Sequence, residues 1–276
     1  MSAGADSLAG RVVAVTGGAR GIGAAIAAEV VRRGGRVGIG DLDEAGAAAA
    51  AAGLGERAAG FALDVTDTGS FASFLDAAEE RLGPLDVLVN NAGIMWVGRF
   101  DEEPEAVALR QFDVNVHGVL RGMKLASARM RTRGRGHIVN VASSASKIAP
   151  PGEASYCASK HAVYGYSVAV REELRGSGVE VSVVMPVVVE TELAAGTSAG
   201  RGATLQPGDV AKAVADAIER PRFDVFVPRS LTVFVRALAL LPHRARVRLA
   251  RFAVPDQVHD TDFSARREYE ADRLKR

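Results

Sequence analysis

The chain has 276 residues, 48% of them hydrophobic, and a formal net charge of +1 at pH 7. That balance suits a sizeable buried core and gives no electrostatic reason to expect a nucleic-acid partner. One cysteine, Cys157, excludes an intrachain disulfide framework and a cysteine-based metal cluster, and no metal site is expected.

Residues 1–7 are small and polar and read as a flexible N-terminus without a secretory apolar segment, so a cytoplasmic location is expected. Strand-like apolar runs at 11–16, 36–40, 59–65, 85–91, 136–142, 179–185 and 223–227 then alternate with helical stretches. The latter lie near 21–33, 43–53, 67–82, 103–132, 155–176 and 207–219. Buried runs without clean alternation belong to a parallel sheet covered on both faces. The expected fold class is α/β: a single-domain, doubly wound (Rossmann) seven-stranded parallel sheet over 8–228, with helices on both faces. Right-handed crossovers place all strand C-termini on one edge, where ligands bind.

The first strand runs into Gly17-Gly18-Ala19-Arg20-Gly21-Ile22-Gly23 and out through an alanine-rich helix. Gly17, Gly21 and Gly23 allow a sharp turn and a close approach to a pyrophosphate, and the helix N-terminus supplies N–H groups for it. The spacing G-x-x-x-G-x-G matches the generic dinucleotide fingerprint only in part, and no Lys-Ser pair follows, which excludes a nucleotide-triphosphate P-loop. Asp41 ends the second strand. A carboxylate there accepts ribose hydroxyls and repels a 2′-phosphate, so NAD is expected over NADP. Asp43 and Glu44 strengthen that preference, whereas Arg20 and Arg36 soften it.

Tyr156 and Lys160 stand four residues apart and share a helix face. A free phenol has a pKa near ~10, and an adjacent ammonium stabilises the phenolate, turning the tyrosine into a general acid–base. Ser143 lies thirteen residues before the tyrosine, with Ser144 as its neighbour and competitor. The glycine-, serine- and threonine-rich stretch within 192–208 reads as a lid over the ligand edge.

These residues resemble the short-chain dehydrogenase/reductase family, NAD-preferring type, from about Leu8 to Pro228. The carriers are the Thr16–Gly23 loop, Asp64-Val65, Asn90-Asn91-Ala92-Gly93, Asn115, Ser143, Tyr156, Lys160, Pro186 and Thr191. The resemblance implies that Tyr156 exchanges the proton, Lys160 tunes it and holds the ribose, and Ser143 binds the substrate oxygen. It implies that Asn115 anchors a water beside Lys160. It further implies cofactor contacts from Gly17, Arg20, Gly21, Ile22, Gly23, Asp41, Asp64, Val65, Asn91, Ala92, Gly93, Pro186, Val189 and Thr191, and a homodimer or homotetramer. Where the family has glycine after the proline, this chain has Val187, which predicts a narrower, more apolar wall.

The side chains expected to face the substrate are Ile94, Met95, Trp96, Ser143, Ser144, Ser146, Val187, Val188 and Leu193, mostly apolar and without a fixed charge. They predict a lipophilic secondary alcohol or ketone (a sterol, a terpenoid or another apolar alcohol) exchanging hydride with NAD. The alternatives are an NADPH-dependent carbonyl reductase on the same scaffold and a catalytically idle, NAD-responsive regulator. Residues 229–276 form a basic, apolar helical extension, with six arginines and no acid over 229–251. That run suits peripheral contact with an anionic membrane, a cap on the substrate pocket, or packing on another subunit. Residues 256–276 read as an exposed helix or tail.

Overall fold

The structure, a computed structural model, describes residues 6–200, 204–242, 244–245, 248–249 and 254–274. The apolar runs become seven strands: β1 (Val12–Thr16), β2 (Arg36–Asp41), β3 (Ala58–Ala62), β4 (Val87–Asn90), β5 (Gly136–Val141), β6 (Val179–Pro186) and β7 (Asp224–Val227). Their order is β3-β2-β1-β4-β5-β6-β7, and every pairing is parallel. All residues of β1 and β4 are buried, which is why these strands carry no polar alternation.

The helices are α1 (Gly21–Arg32), α2 (Glu44–Ala52), α3 (Thr68–Leu82), α4 (Glu105–Phe112), α5 (Gly118–Thr132), α6 (Ala154–Glu173), α7 (Pro207–Glu219) and α8 (Leu231–Leu240). Ile26 and Val30 of α1 meet Val210 and Val214 of α7 on one face of the sheet. Phe71 and Phe74 of α3, Met123 of α5 and Val163 of α6 fill the other. Each fully buried side chain of this size contributes about 1.5–3 kcal/mol. The chain leaves β1 toward β2 on one side and pairs it with β4 on the other, so the crevice above β1 and β4 is the switch point where doubly wound sheets bind ligands.

Two sequence expectations change, and a third, left open, is narrowed. The single helix expected over 103–132 is two, α4 and α5, joined by a wide π-type turn at Asp113–His117. The Gly118 N–H reaches back five residues to the Asp113 carbonyl, and the extra residue turns Asn115 fully inward. The segment from 256 onward is not an exposed tail. A short helix, Gln257–Asp260, and a final helix, Phe263–Arg273, lie against the carboxyl edge, burying Gln257, Arg266 and Tyr269. Its charged composition concealed this, because the buried Arg266 is held by hydrogen bonds rather than by apolar packing. Third, α8 borders the ligand cavity through Leu231 and Phe234, as a cap would, while Val233 and Leu240 remain exposed.

The flexible N-terminus expected over 1–7 falls mostly outside the described residues, as do Arg246 and Arg251 of the basic run and residues 201–203 of the lid. Among the described residues, no helix is long and apolar enough to cross a membrane, and no group of three metal-ligating side chains occurs.

Candidate active site

A cavity of ≈ 1080 Å³ follows the carboxyl edge of the sheet. Its floor is the loop between β1 and α1. Gly17 and Gly21 have φ of 64° and 54°, left-handed values that strain any other residue. A Cβ on Gly17 would lie 2.8 Å from the Ala92 Cα. One on Gly23 would drive into the Gly17 carbonyl oxygen and come within 2.7 Å of Asn91 Nδ2. The two loops interlock further: Thr16 Oγ1 accepts the Asn91 and Ala92 N–H groups at 3.0 Å each, and Asn91 Nδ2 donates to the Thr16 and Gly17 carbonyls at 3.0 Å. The result is a fixed, side-chain-free cradle at a helix N-terminus, and it fits a pyrophosphate-linked dinucleotide.

At the end of β2, Asp41 lines the cavity with its carboxylate already oriented. Oδ2 accepts the Ala19 N–H at 3.0 Å, and Oδ1 accepts the Asp43 N–H at 3.1 Å. Arg20 also lines it, but its guanidinium pairs with Glu192 at 3.2 Å and with Asp43 at 3.6 Å. Arg36 does not border the cavity. It opens β2 at the far edge of the sheet, with its guanidinium beside Gly83. Asp64 receives the Thr66 N–H and hydroxyl on Oδ1, at 2.8 and 2.7 Å. Ile22, Val65 and Gly93 complete this part of the wall, and Pro186, Val189 and Thr191 border it from β6 onward. Gly23 and Asn115 stand behind the lining.

Ser143, Tyr156 and Lys160 converge on the opposite wall, from the end of β5 and from α6. The Ser143 hydroxyl accepts the Ala145 N–H at 3.1 Å and acts to lower the Tyr156 pKa. Lys160 Nζ donates to the Val141 carbonyl at 3.3 Å and lies 5.5 Å from the centre of the tyrosine ring. Burial lowers its pKa to about 8. In the protein alone, burial, and then the charge of Glu153, hold Tyr156 above the ordinary phenol value, while Ser143 works the other way. Asn115 spends both amide donors, on the Ile94 carbonyl at 2.8 Å and on Ser159 Oγ at 3.1 Å, and accepts the Ile94 N–H at 2.8 Å. It therefore clamps the Gly93–Ile94 backbone facing Lys160.

Of the side chains expected to face substrate, Ile94, Met95, Ser143, Ser144, Val187, Val188 and Leu193 line the cavity. Trp96 and Ser146 do not border it. The Trp96 indole packs over Gly98, and Ser146 is buried in the short helical turn after Ser143. Val187 needs no left-handed backbone, and its N–H extends the sheet by bonding the Val227 carbonyl at 3.0 Å. Cys157 is packed and inert, its thiol pushed up to about 12 by burial.

The wall also contains residues the sequence reading missed. Glu153 and Tyr269 line the cavity, as does Arg110, so the wall is not free of charge. Glu153 is the residue just before α6 and three positions before Tyr156, a closeness in sequence that would have revealed it. No local signal marks Tyr269 or Arg266. The Tyr269 hydroxyl accepts the Met95 N–H at 3.2 Å. Arg266 donates to the carbonyls of Leu193 at 3.0 Å, Ala195 at 3.3 Å and Met95, and pairs with Glu270 at 2.9 Å. Gln257 takes the Ser198 N–H at 2.9 Å and returns a bond to its carbonyl at 2.8 Å. The C-terminal helices thus hold segment 193–198 as a roof.

The fold and this edge define a dinucleotide-binding α/β protein with a tyrosine–lysine pair facing the cradle. The family model for short chain dehydrogenases matches residues 11–202. The chain belongs to the short-chain dehydrogenase/reductase family. It is 40% identical over 193 residues to a D-threitol dehydrogenase of Mycolicibacterium smegmatis, covering 67% of this chain and 73% of that one. It is 37% identical over 212 residues to 2-(S)-hydroxypropyl-CoM dehydrogenase 3 of Xanthobacter autotrophicus, covering 76% and 80%. A crystal structure of a family member from Burkholderia phymatum in complex with NAD superposes with a TM-score of 0.78 at 28% identity, covering 93% of this chain and 98% of that one.

Proposed function

We propose that the protein is an NAD(H)-dependent dehydrogenase that interconverts a secondary alcohol with an apolar body and the corresponding ketone. The observation that carries this reading is the buried Tyr156 phenol, on the same wall as Ser143 and one helical turn from Lys160, across the cavity from the glycine cradle. The relatives' names, which refer to hydroxyl-bearing compounds, support the same reaction type. When bound, the nicotinamide accepts or supplies the hydride, which is chemistry no side chain here can perform.

The chain's own residues do the rest. Tyr156 takes the proton from the alcohol oxygen in oxidation and returns it in reduction. Ser143 donates a hydrogen bond to that oxygen as its charge develops. Lys160 retains donors beyond the one spent on Val141 and is the residue placed to hold ribose hydroxyls. Asn115 acts by fixing Ile94 rather than by touching substrate. The preference for NAD is supported by Asp41, held at the ribose side by two backbone N–H groups, and by Arg20, whose pairing with Asp43 and Glu192 competes with a 2′-phosphate.

The same reading includes a cytoplasmic homodimer or homotetramer, supported by the exposed Val168 on α6 and Leu109 on α4, and retains a peripheral membrane contact through 229–251 as its variant. Following NADH absorbance over a panel of secondary alcohols, with Tyr156→Phe as control, tests the activity. Turnover should fall by about 10²–10⁴ in the variant. Equal rates in both proteins, or tighter binding of NADPH than of NADH, would overturn the corresponding part.

A further inference from the structure

The substrate end of the cavity contains a polar pair that the proton-transfer chemistry does not use. The Glu153 carboxyl is 6% exposed and borders the cavity, yet no hydrogen bond reaches it among the described residues. Its neighbours are Arg266, which attracts it through space, and the Tyr156 phenol, which feels its charge. Tyr269 borders the same space. Its hydroxyl accepts from Met95 N–H, and the hydroxyl proton has no acceptor among the described residues. Tyr269 is bonded to Met95, which packs with Tyr156 in one buried cluster, and Glu153 stands three residues before Tyr156 at the start of α6, so both groups border the end of the cavity where Tyr156 stands.

A carboxyl that borders a cavity with no hydrogen bond to it is a group a ligand can satisfy. What satisfies both groups is a small ligand that donates to Glu153 and accepts from Tyr269. A hydroxyl group does both at one atom. An ammonium would satisfy Glu153 alone, and a carboxylate would be repelled by it.

We propose that Glu153 and Tyr269 form a second polar subsite that binds a hydroxyl next to the reacting carbon, so that the substrate is a vicinal diol, or the matching hydroxyketone, on an otherwise apolar skeleton. This rests on the dehydrogenase reading and narrows its substrate class. One hydroxyl meets Tyr156 and Ser143, the neighbouring one bridges Glu153 and Tyr269, and the remaining carbons lie against Ile94, Met95 and Val188. The subsite fixes which hydroxyl is presented to the nicotinamide and does not enter the redox step.

The test compares 1,2-cyclohexanediol with cyclohexanol, and 2,3-butanediol with 2-butanol, in wild type, Glu153→Leu and Tyr269→Phe, with NAD as acceptor. Wild type should show a diol-to-alcohol ratio of kcat/KM of about 10–100, the range expected for a hydrogen bond to a charged group. Each variant should bring that ratio close to one, and the ratio cancels any general loss of activity. If Glu153→Leu fails to fold, Tyr269→Phe decides alone.

A wild-type ratio near one, or a ratio unchanged in a folded variant, overturns the subsite and leaves the dehydrogenase reading intact. A parallel arm measures thermal stabilisation of the NAD-saturated protein by each compound. Stabilisation by the diol that Tyr269→Phe abolishes, without turnover of any compound, supports the subsite and overturns the dehydrogenase reading. Neither turnover nor stabilisation overturns both.

Discussion

Replacing Glu153 by glutamine should make the protein more stable above neutral pH and leave it nearly unchanged near pH 4.5. Burial raises the Glu153 pKa from 4.5 to about 7, with Arg266 acting in the opposite direction. Between those values the folded protein keeps a proton that the unfolded chain has released, so the wild type loses stability as pH rises through the window. At about 1.36 kcal/mol per pKa unit, the loss reaches roughly 3 kcal/mol and is complete above pH 7. Among the groups facing Glu153, Cys157 and Tyr269 are pushed up to about 12 and Tyr156 is also raised, so none of them titrates in that window, and Arg266 stays charged.

His137 gives the opposite slope. Burial lowers its pKa from 6.5 to about 4, so the protein loses stability as pH falls through that range. Where the two windows overlap the slopes cancel, and the wild-type profile alone would hide both. Urea unfolding of wild type and Glu153→Gln at pH 4.5, 6 and 8 isolates the Glu153 contribution as a difference. The variant's advantage should grow from about zero to roughly 3 kcal/mol, or about 5 °C in Tm for a domain of this size. A difference that stays flat with pH, or grows toward acid, would refute the account of Glu153 as a buried carboxyl without adequate compensation.

Two further substitutions probe the frame of the site. Gly23→Ala puts a methyl into the Gly17 carbonyl and beside Asn91, forcing the glycine loop apart. NAD binding measured by calorimetry should weaken about tenfold or more, and unchanged affinity would show that the loop yields without cost. Arg266→Met removes the donors that satisfy the Leu193, Ala195 and Met95 carbonyls. Unfolding free energy should fall by roughly 3–5 kcal/mol, and a loss below about 1 kcal/mol would mean water replaces the guanidinium.

What could be read from sequence was local. The glycine loop, the Asn90–Gly93 run and the Tyr156–Lys160 spacing each express a constraint within a few residues, and the strands announce themselves as unbroken apolar runs. The break at Asp113–His117 was hidden, because a π-type turn changes the register of a helix without changing its composition. The burial that raises the Tyr156 pKa was not legible either: helical spacing fixes proximity to Lys160, whereas burial depends on the whole wall. Tyr269 and Arg266 were illegible because their partners lie 174 and 171 residues away, at Met95. A charged helix such as Phe263–Arg273 reads as solvent-exposed until those partners are known.

The roof of the cavity comes from a different stretch of chain than its floor. The family model ends at residue 202, whereas Arg266, Gln257 and Tyr269, which hold segment 193–198 and Met95, all lie beyond it. The roof of the cavity and the glycine cradle are therefore written in separate blocks of the gene. A chimera that transplants 256–274 into a homologous scaffold should carry ligand preference with it and leave nucleotide recognition to the host.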